Sequence, residues 1–364
     1  MGFDCGIIGL PNAGKSTIFN ALTGSTAAVA GYPFTTIDPN TGTVTLPDER
    51  LQKIAALTGP EKITPAVMEF VDVAGLVRGA HKGEGLGNQF LGTIRNLPAL
   101  IHVVRCFEDE NVAHPEGDVD PLRDIEIIET ELILADIATV QRRIDKVKKT
   151  AQTGDKDAKR ALAIYEKAIT VLDAGKLAST LVVVPEELAI FDEMQLLSAK
   201  PILFIANLDE DAVIEGNEYS KRVGAAALDR GAGFVTISGK IEAELLDLEE
   251  GERAEYLNEL GLSETGLAQV IRAGYRLLRL VTFYTTVGPE LRAWSIPEGT
   301  AAPTAAGKIH TDMERGFIRA EVLSSDDLFA AGGEHEAKES GRVRIEGKEY
   351  VIKDGDIVRI RFNV

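Results

Sequence analysis

The sequence predicts an α/β protein built on a parallel sheet, interrupted once by an inserted antiparallel α-helical coiled coil and followed by a small β-rich carboxy-terminal domain. Three observations carry this reading: near-continuous apolar runs that recur along the chain, a long stretch of three-and-four spacing between residues 122 and 199, and alternating runs after about residue 280. With 364 residues, 45% apolar and 26% charged, the composition is that of an ordinary globular protein of two or three domains. A formal charge of −18 argues against a protein that coats nucleic acid non-specifically, because phosphate binding is built from excess Lys and Arg.

The apolar runs 3–9, 67–73, 99–107, 201–207 and 233–238 read as strands covered on both faces, the signature of a parallel sheet. Helical signals fill the gaps at 15–22, 88–97, 219–228 and 267–281. Ile125, Ile128, Leu132, Ala135, Val140, Ile144 and Val147 step by three and four, and Ala158, Leu162, Tyr165, Ile169 and Leu172 do so again after a polar turn at Thr153-Gly154-Asp155. This predicts the helical hairpin. Its far end, 142–160, carries eight basic residues (Arg142, Arg143, Lys146, Lys148, Lys149, Lys156, Lys159 and Arg160) against three acidic ones, a solvated helix face or a nucleic-acid contact. Alternating runs at 282–287, 291–295, 342–345, 350–352 and 357–362, set between Pro, Gly and Asp turns, predict the last domain. Its 11 basic and 14 acidic residues confine any RNA contact there to a local patch, with Lys308, Arg315 and Arg319 as candidates.

The amino terminus shows no secretory signal, and no run reaches the roughly 18 uncharged apolar residues of a membrane span. The expectation is a cytoplasmic protein with no membrane or DNA partner. Cys5 and Cys106, both in apolar surroundings, read as buried structural thiols rather than a disulfide or metal pair.

Gly9-Leu10-Pro11-Asn12-Ala13-Gly14-Lys15-Ser16 matches GxxxxGK[ST] between a predicted strand and a predicted helix. In such a loop the glycines turn backbone N–H groups inward around a phosphate chain, the Lys reaches the terminal phosphates and the Ser hydroxyl ligates Mg²⁺. Asp72-Val73-Ala74-Gly75 ends the strand at 67–73, where phosphate-loop NTPases place a carboxylate that holds the magnesium shell and a backbone N–H, here near Gly75, that senses a γ-phosphate. Between them, Thr35 and Thr36 compete to complete the magnesium shell. After the strand at 201–206 the chain reads Asn207-Leu208-Asp209-Glu210, where GTPases carry Asn-Lys-x-Asp. Leu replaces Lys, and Glu210 is one methylene longer than Asp, so the bidentate fit to guanine is lost and adenine is favoured. Ser238-Gly239-Lys240 is expected to close the far side of the base, although Ser238 also reads as an ordinary strand-end turn.

These pieces, with YPFTTIDPNTG, MEFVDVAGLVRGAHKGEGLGNQFL, HVVRCFEDENVAH and the ending FYTTVGPELRAWSIPEGTAAPTAAGKIHTDMERGFIRAEV, resemble the YchF family, the Obg-like ATPases, over nearly the whole chain. The resemblance implies a P-loop NTPase domain at 1–121 and 200–281, an inserted coiled coil at 122–199 and a β-grasp-like TGS domain at 282–364. It also implies ATP preferred over GTP, slow Mg²⁺-dependent hydrolysis, and association with ribosomes, through the large subunit or ribosomal RNA, in modulating translation or a stress response. By position, Asn12, Ala13, Gly14, Lys15, Ser16 and Thr17 hold the phosphates, Ser16 and Thr36 the magnesium, and Leu208 the adenine. Gly239 stands where the family more often has Ala.

Ras-type enzymes orient the attacking water with a Gln directly after the DxxG glycine, but this chain has Leu76. His114, in the loop after Cys106-Phe107, is the candidate to take that role, with a surface histidine as the plainer alternative; His81 is a weaker candidate of the same kind. K⁺ beside Asn12 supplies extra positive charge in related NTPases with Asn there. Two other functions fit the same motifs. One is a non-enzymatic ATP-gated binding protein for ribosome or RNA, and the other an Obg-like GTPase.

Overall fold

The computed structural model describes residues 4–27, 40–73, 79 and 86–363. The expectations for Thr36, Gly75 and His81 lie outside the described residues. The chain divides into two compact units, one formed within Phe3–Gly42 and Glu69–Gly274, the other within Thr43–Met68 and Tyr275–Val364.

From the amino terminus the elements are β1 (Asp4–Ile8), α1 (Lys15–Ala27), β2 (Thr41–Thr45), α2 (Glu49–Thr58), β3 (Lys62–Thr64) and β4 (Val67–Asp72). There follow α3 (Leu86–Asn96), β5 (Ala99–Arg105), α4 (Pro121–Gln152), α5 (Lys156–Asp173) and α6 (Leu188–Glu193). The first unit then continues with β6 (Ile202–Asn207), α7 (Glu218–Asp229), β7 (Gly233–Ile237), α8 (Gly239–Leu246), α9 (Glu250–Glu259) and α10 (Gly266–Leu277). The sheet order is β2-β4-β1-β5-β6-β7, and β4, β1, β5, β6 and β7 run parallel. Every residue of β5 and β6 is buried, which is why those strands read as near-continuous apolar runs instead of alternating ones. In a parallel sheet the loops after the strands gather at one edge, and here the loops after β1, β5, β6 and β7 do so.

Asp120 caps α4 by accepting Leu122 N–H, Pro121 occupies its first turn, and Asp155 caps α5 through Ala158 N–H. Gly154 turns the hairpin with φ +102, a conformation that L side chains rarely adopt. The two halves of α4 pack differently. Ile125, Ile128, Leu132 and Ala135 belong to the core under the sheet, together with Leu91 and Ile94 of α3. Further along, Ile133, Val140 and Ile144 join Ile164, Tyr165, Ala168 and Leu172 in a core of the hairpin itself. Between them Asp136, fully buried, accepts the N–H groups of Leu197 and Ser198 and the Ser198 hydroxyl, fastening α4 to the chain that re-enters the sheet.

The second unit adds β8 (Leu280–Thr285), β9 (Glu290–Pro297), α11 (Ala302–Ile309), α12 (Thr311–Arg315), β10 (Phe317–Ser324), α13 (Ser325–Ala331), α14 (Glu334–Glu339), β11 (Arg344–Glu346) and β12 (Asp356–Phe362). Its mixed sheet has the order β11-β10-β12-β8-β9-β3. Phe283, Ile296, Ala302, Ala305, Ala306, Phe317 and Val322 form its core, so α11 lies against the sheet. Residues 43–68, read from the sequence with the first domain, pack with this unit. There β3 pairs parallel with β9, and Asp48 accepts from both Tyr284 (2.5 Å) and Arg50, which in turn reaches Asp354.

No helix among the described residues is long and apolar enough to cross a membrane. Cys5 and Cys106 are fully buried, and burial pushes both thiols up to about 12, which leaves them protonated and unreactive near neutral pH.

Candidate functional site

The loop after β1 has the backbone that its sequence requires. Gly9 (φ +148) and Gly14 (φ +93) occupy conformations hostile to side chains, and an added Cβ would collide with Val103 O in the first case and with Asn207 Nδ2 in the second. Asn12 also sits at positive φ (+62), a region that Asn tolerates better than most residues. The loop runs into the amino terminus of α1, whose first turn presents backbone N–H groups and a partial positive charge to an anion. Lys15, only 7% exposed, donates from Nζ to Leu10 O at 2.7 Å within its own loop. Burial pulls its ammonium down to about 8, against the opposing charge of Asp72.

Ser16 Oγ lies 3.4 Å from Asp72 Oδ2. Burial raises Asp72 above the usual carboxylate range although Lys15 and Ser16 pull it down, and among the described residues its Oδ1 has no hydrogen-bond partner. An orphaned carboxylate oxygen beside an exposed hydroxyl is an all-oxygen donor set, which fits Mg²⁺ completed by phosphate oxygens and water.

Asn207, at the end of β6 and 5% exposed, uses its side chain on the scaffold. Its Nδ2 donates to Ala13 O (3.0 Å) and its Oδ1 accepts Gly239 N–H (2.9 Å), so it ties the phosphate loop to the loop after β7. Leu208 is buried and donates its N–H to Ile237 O, which leaves its carbonyl as the group it can offer a base. Glu210 is ion-paired with Lys240 at 2.6 Å across the mouth between the two loops. Ser238 is buried and caps α8, accepting Ile241 N–H at 3.5 Å. Thr17 is exposed on the first turn of α1.

His114 is not a surface residue: its side chain is 3% exposed. Nδ1 accepts Glu116 N–H at 3.1 Å, which puts the proton on Nε2, and Nε2 donates to Asp124 at 2.9 Å. With both ring nitrogens engaged, the imidazole is not presented to water in this arrangement. Its neighbour Ala113 nonetheless touches the phosphate loop, because Asn12 Nδ2 donates to Ala113 O at 2.8 Å. The sequence reading had no role for Arg105, which ends β5 and holds this same loop. Glu131 was also missed; from α4 it accepts the N–H of Gly79 at 2.7 Å.

Comparison with known proteins gives concordant results. A family profile described as 50S ribosome-binding GTPase matches residues 4–131, and the profile YchF-GTPase_C, described as a protein of unknown function, matches 280–363. The chain is 51% identical over 364 residues to the ribosome-binding ATPase YchF of Escherichia coli O157:H7, covering 100% of both chains. It is 49% identical over 366 residues to the protein of the same name from Bacillus subtilis (strain 168), again with full coverage of both. The solved structure of the Schizosaccharomyces pombe YchF GTPase superposes with a TM-score of 0.90 at 35% identity, covering 99% of this chain and 98% of that one. The names of these relatives divide between ATPase and GTPase.

Proposed function

This chain belongs to the YchF family, and from that premise we propose that it is an ATPase that prefers ATP to GTP, turns over slowly, and lets its nucleotide state govern its association with ribosomes in the cytoplasm. The observation that carries the base preference is the run Asn207-Leu208-Asp209-Glu210. A GTPase reads guanine with an Asp carboxylate that accepts two N–H groups. Here the corresponding Glu210 is longer and already bound to Lys240, and Leu208 offers a carbonyl suited to an adenine amine.

Lys15 and the N–H groups of the loop and first turn of α1 take the triphosphate, and Ser16 with Asp72 holds Mg²⁺, with Thr36 as the third oxygen donor. When bound, the metal neutralises charge on the β- and γ-phosphate oxygens. Asn12, whose amide nitrogen is spent on Ala113 O, has its Oδ1 left for a K⁺ ion. Gly75 N–H senses the γ-phosphate, and His114 accepts the proton of the attacking water at its unprotonated Nδ1 after leaving Asp124 and the Glu116 N–H. A base that must first break two hydrogen bonds accounts for slow turnover without a partner.

The ribosome contact falls to the tip of the coiled coil. Arg142 and Arg143 are used within the insert, on Ala138 O and on Glu193, but Lys146, Lys148, Lys149, Lys156 and Lys159 are exposed. They suit the phosphates of large-subunit ribosomal RNA, and a TGS-type carboxy-terminal domain is the second contact. Single-turnover ATP hydrolysis with and without ribosomes tests the reading: stimulation by ribosomes supports a hydrolytic switch, and an unchanged rate with tight ATP-dependent binding supports a purely binding role.

A further inference from the structure

Arg105 is 3% exposed and spends its side chain on one loop. Nε donates to Phe107 O (3.2 Å), Nη1 to Val112 O (2.8 Å) and Nη2 to Asp109 O (3.4 Å), with the guanidinium 4.5 Å from the Phe107 ring centroid. The same loop is held at its start, where Cys106 N–H donates to Asn207 O and Asn217 Nδ2 to Cys106 O, and at its end, where Asn12 takes Ala113 O. The backbone is therefore fastened at 106, 107, 109, 112 and 113, and the next residue is His114. The anchors at its two ends are Asn207 and Asn12, which touch or belong to the phosphate loop.

We infer that Arg105 is the positioning residue for the hydrolytic histidine: it holds the 107–113 backbone so that His114 can leave Asp124 and the Glu116 N–H and turn its unprotonated Nδ1 to the attacking water by side-chain rotation from a fixed Cα. This rests on the reading of His114 as the base. Only a planar fork of donors reaches three carbonyls of one loop at once; a lysine ammonium keeps the charge but donates from a single point. The step itself is unchanged, a water oxygen attacking the γ-phosphorus as its proton passes to the imidazole and ADP leaves.

The test is single-turnover ATP hydrolysis and, separately, ATP affinity for the full chain with Mg²⁺, comparing Arg105→Lys, His114→Ala and the double variant. Arg105→Lys is expected to slow hydrolysis about tenfold or more with ATP affinity within about twofold, and the double variant to be no slower than His114→Ala alone, as for residues acting as one unit. Full-rate Arg105→Lys beside a slow His114→Ala overturns the inference while sparing the base; so do single effects that multiply in the double variant. A full-rate His114→Ala removes the base and this inference with it. Hydrogen exchange of the unaltered protein needs no variant to fold: the Val112 amide, which donates to Asp109 O inside the clamped loop, should exchange more slowly than the exposed amides around it, and exchange at their rate overturns the fastening.

Discussion

Raising the pH should weaken ATP binding through Lys15. In the free protein burial lowers its ammonium from 10.5 to about 8, so near that pH half the molecules have lost the charge that a terminal phosphate needs. A bound triphosphate supplies the missing negative partner and restores the ammonium, so binding takes up a proton. The sign follows: affinity is full below about pH 8 and falls about tenfold per pH unit above it, to a ceiling of about 3 kcal/mol for a return over about 2.5 units. The phosphate's own titration, near about pH 6, is complete below this window. Without nucleotide the linkage reverses, and the penalty of the buried charge disappears as pH rises from about 8. The assay is calorimetric titration between about pH 7 and about pH 9.5 in two buffers of different ionisation heat, which counts protons directly. Uptake of about half a proton per ATP near pH 8 is expected; affinity flat across the range with no proton uptake would refute the reasoning.

Gly14→Ala drives a methyl into Asn207 Nδ2 at a backbone φ of +93, so it should break the tie to Ala13 and weaken nucleotide binding by about 1.4 kcal/mol or more, read as a tenfold loss of affinity. Glu242, 3% exposed, accepts Gly266 N–H at the start of α10, and burial raises it from 4.5 to about 7. Its contribution to stability is present below pH 4.5 and lost as pH rises through about 7. The unfolding free energy of Glu242→Gln relative to the parent should therefore rise by up to about 3 kcal/mol between about pH 4.5 and pH 8, and a pH-independent difference counts against it. Reversing Lys148, Lys149, Lys156 and Lys159 to Glu should weaken cosedimentation with ribosomes and flatten its salt dependence by about one unit of slope per lost phosphate contact, leaving ATP affinity unchanged; unaltered cosedimentation removes the coiled-coil tip from the interface.

The parallel sheet was legible in the sequence because β5 and β6 are buried along their whole length and so are nearly continuous apolar runs, with His102 inside β5 and Arg105 and Asn207 at the strand ends as the polar exceptions. The helical hairpin was legible because α4 and α5 keep one spacing along their length. The second unit was read less well. β3 is three residues long and finds its partner β9 only after more than two hundred residues, a pairing with no local signature. In β10 the alternation is masked by Arg319 and Glu321 on the open face and by an exposed Ile318. At the site, the phosphate loop was legible because left-handed backbone demands glycine. The occupations of Asn207 and His114 were not, since each is decided by what another element brings: Ala13 and Gly239 for one, Asp124 at the start of α4 for the other. Arg105 escaped notice because its partners are backbone carbonyls, which carry no sequence signal.

Adenine recognition at the end of β6 is tested most directly by calorimetric titration of the full chain with ATP and with GTP, each with Mg²⁺ present. ATP should bind tighter by about tenfold or more, because Glu210 cannot grip both guanine donors and is already held by Lys240. Tighter binding of GTP, or no uptake of either nucleotide, would contradict it.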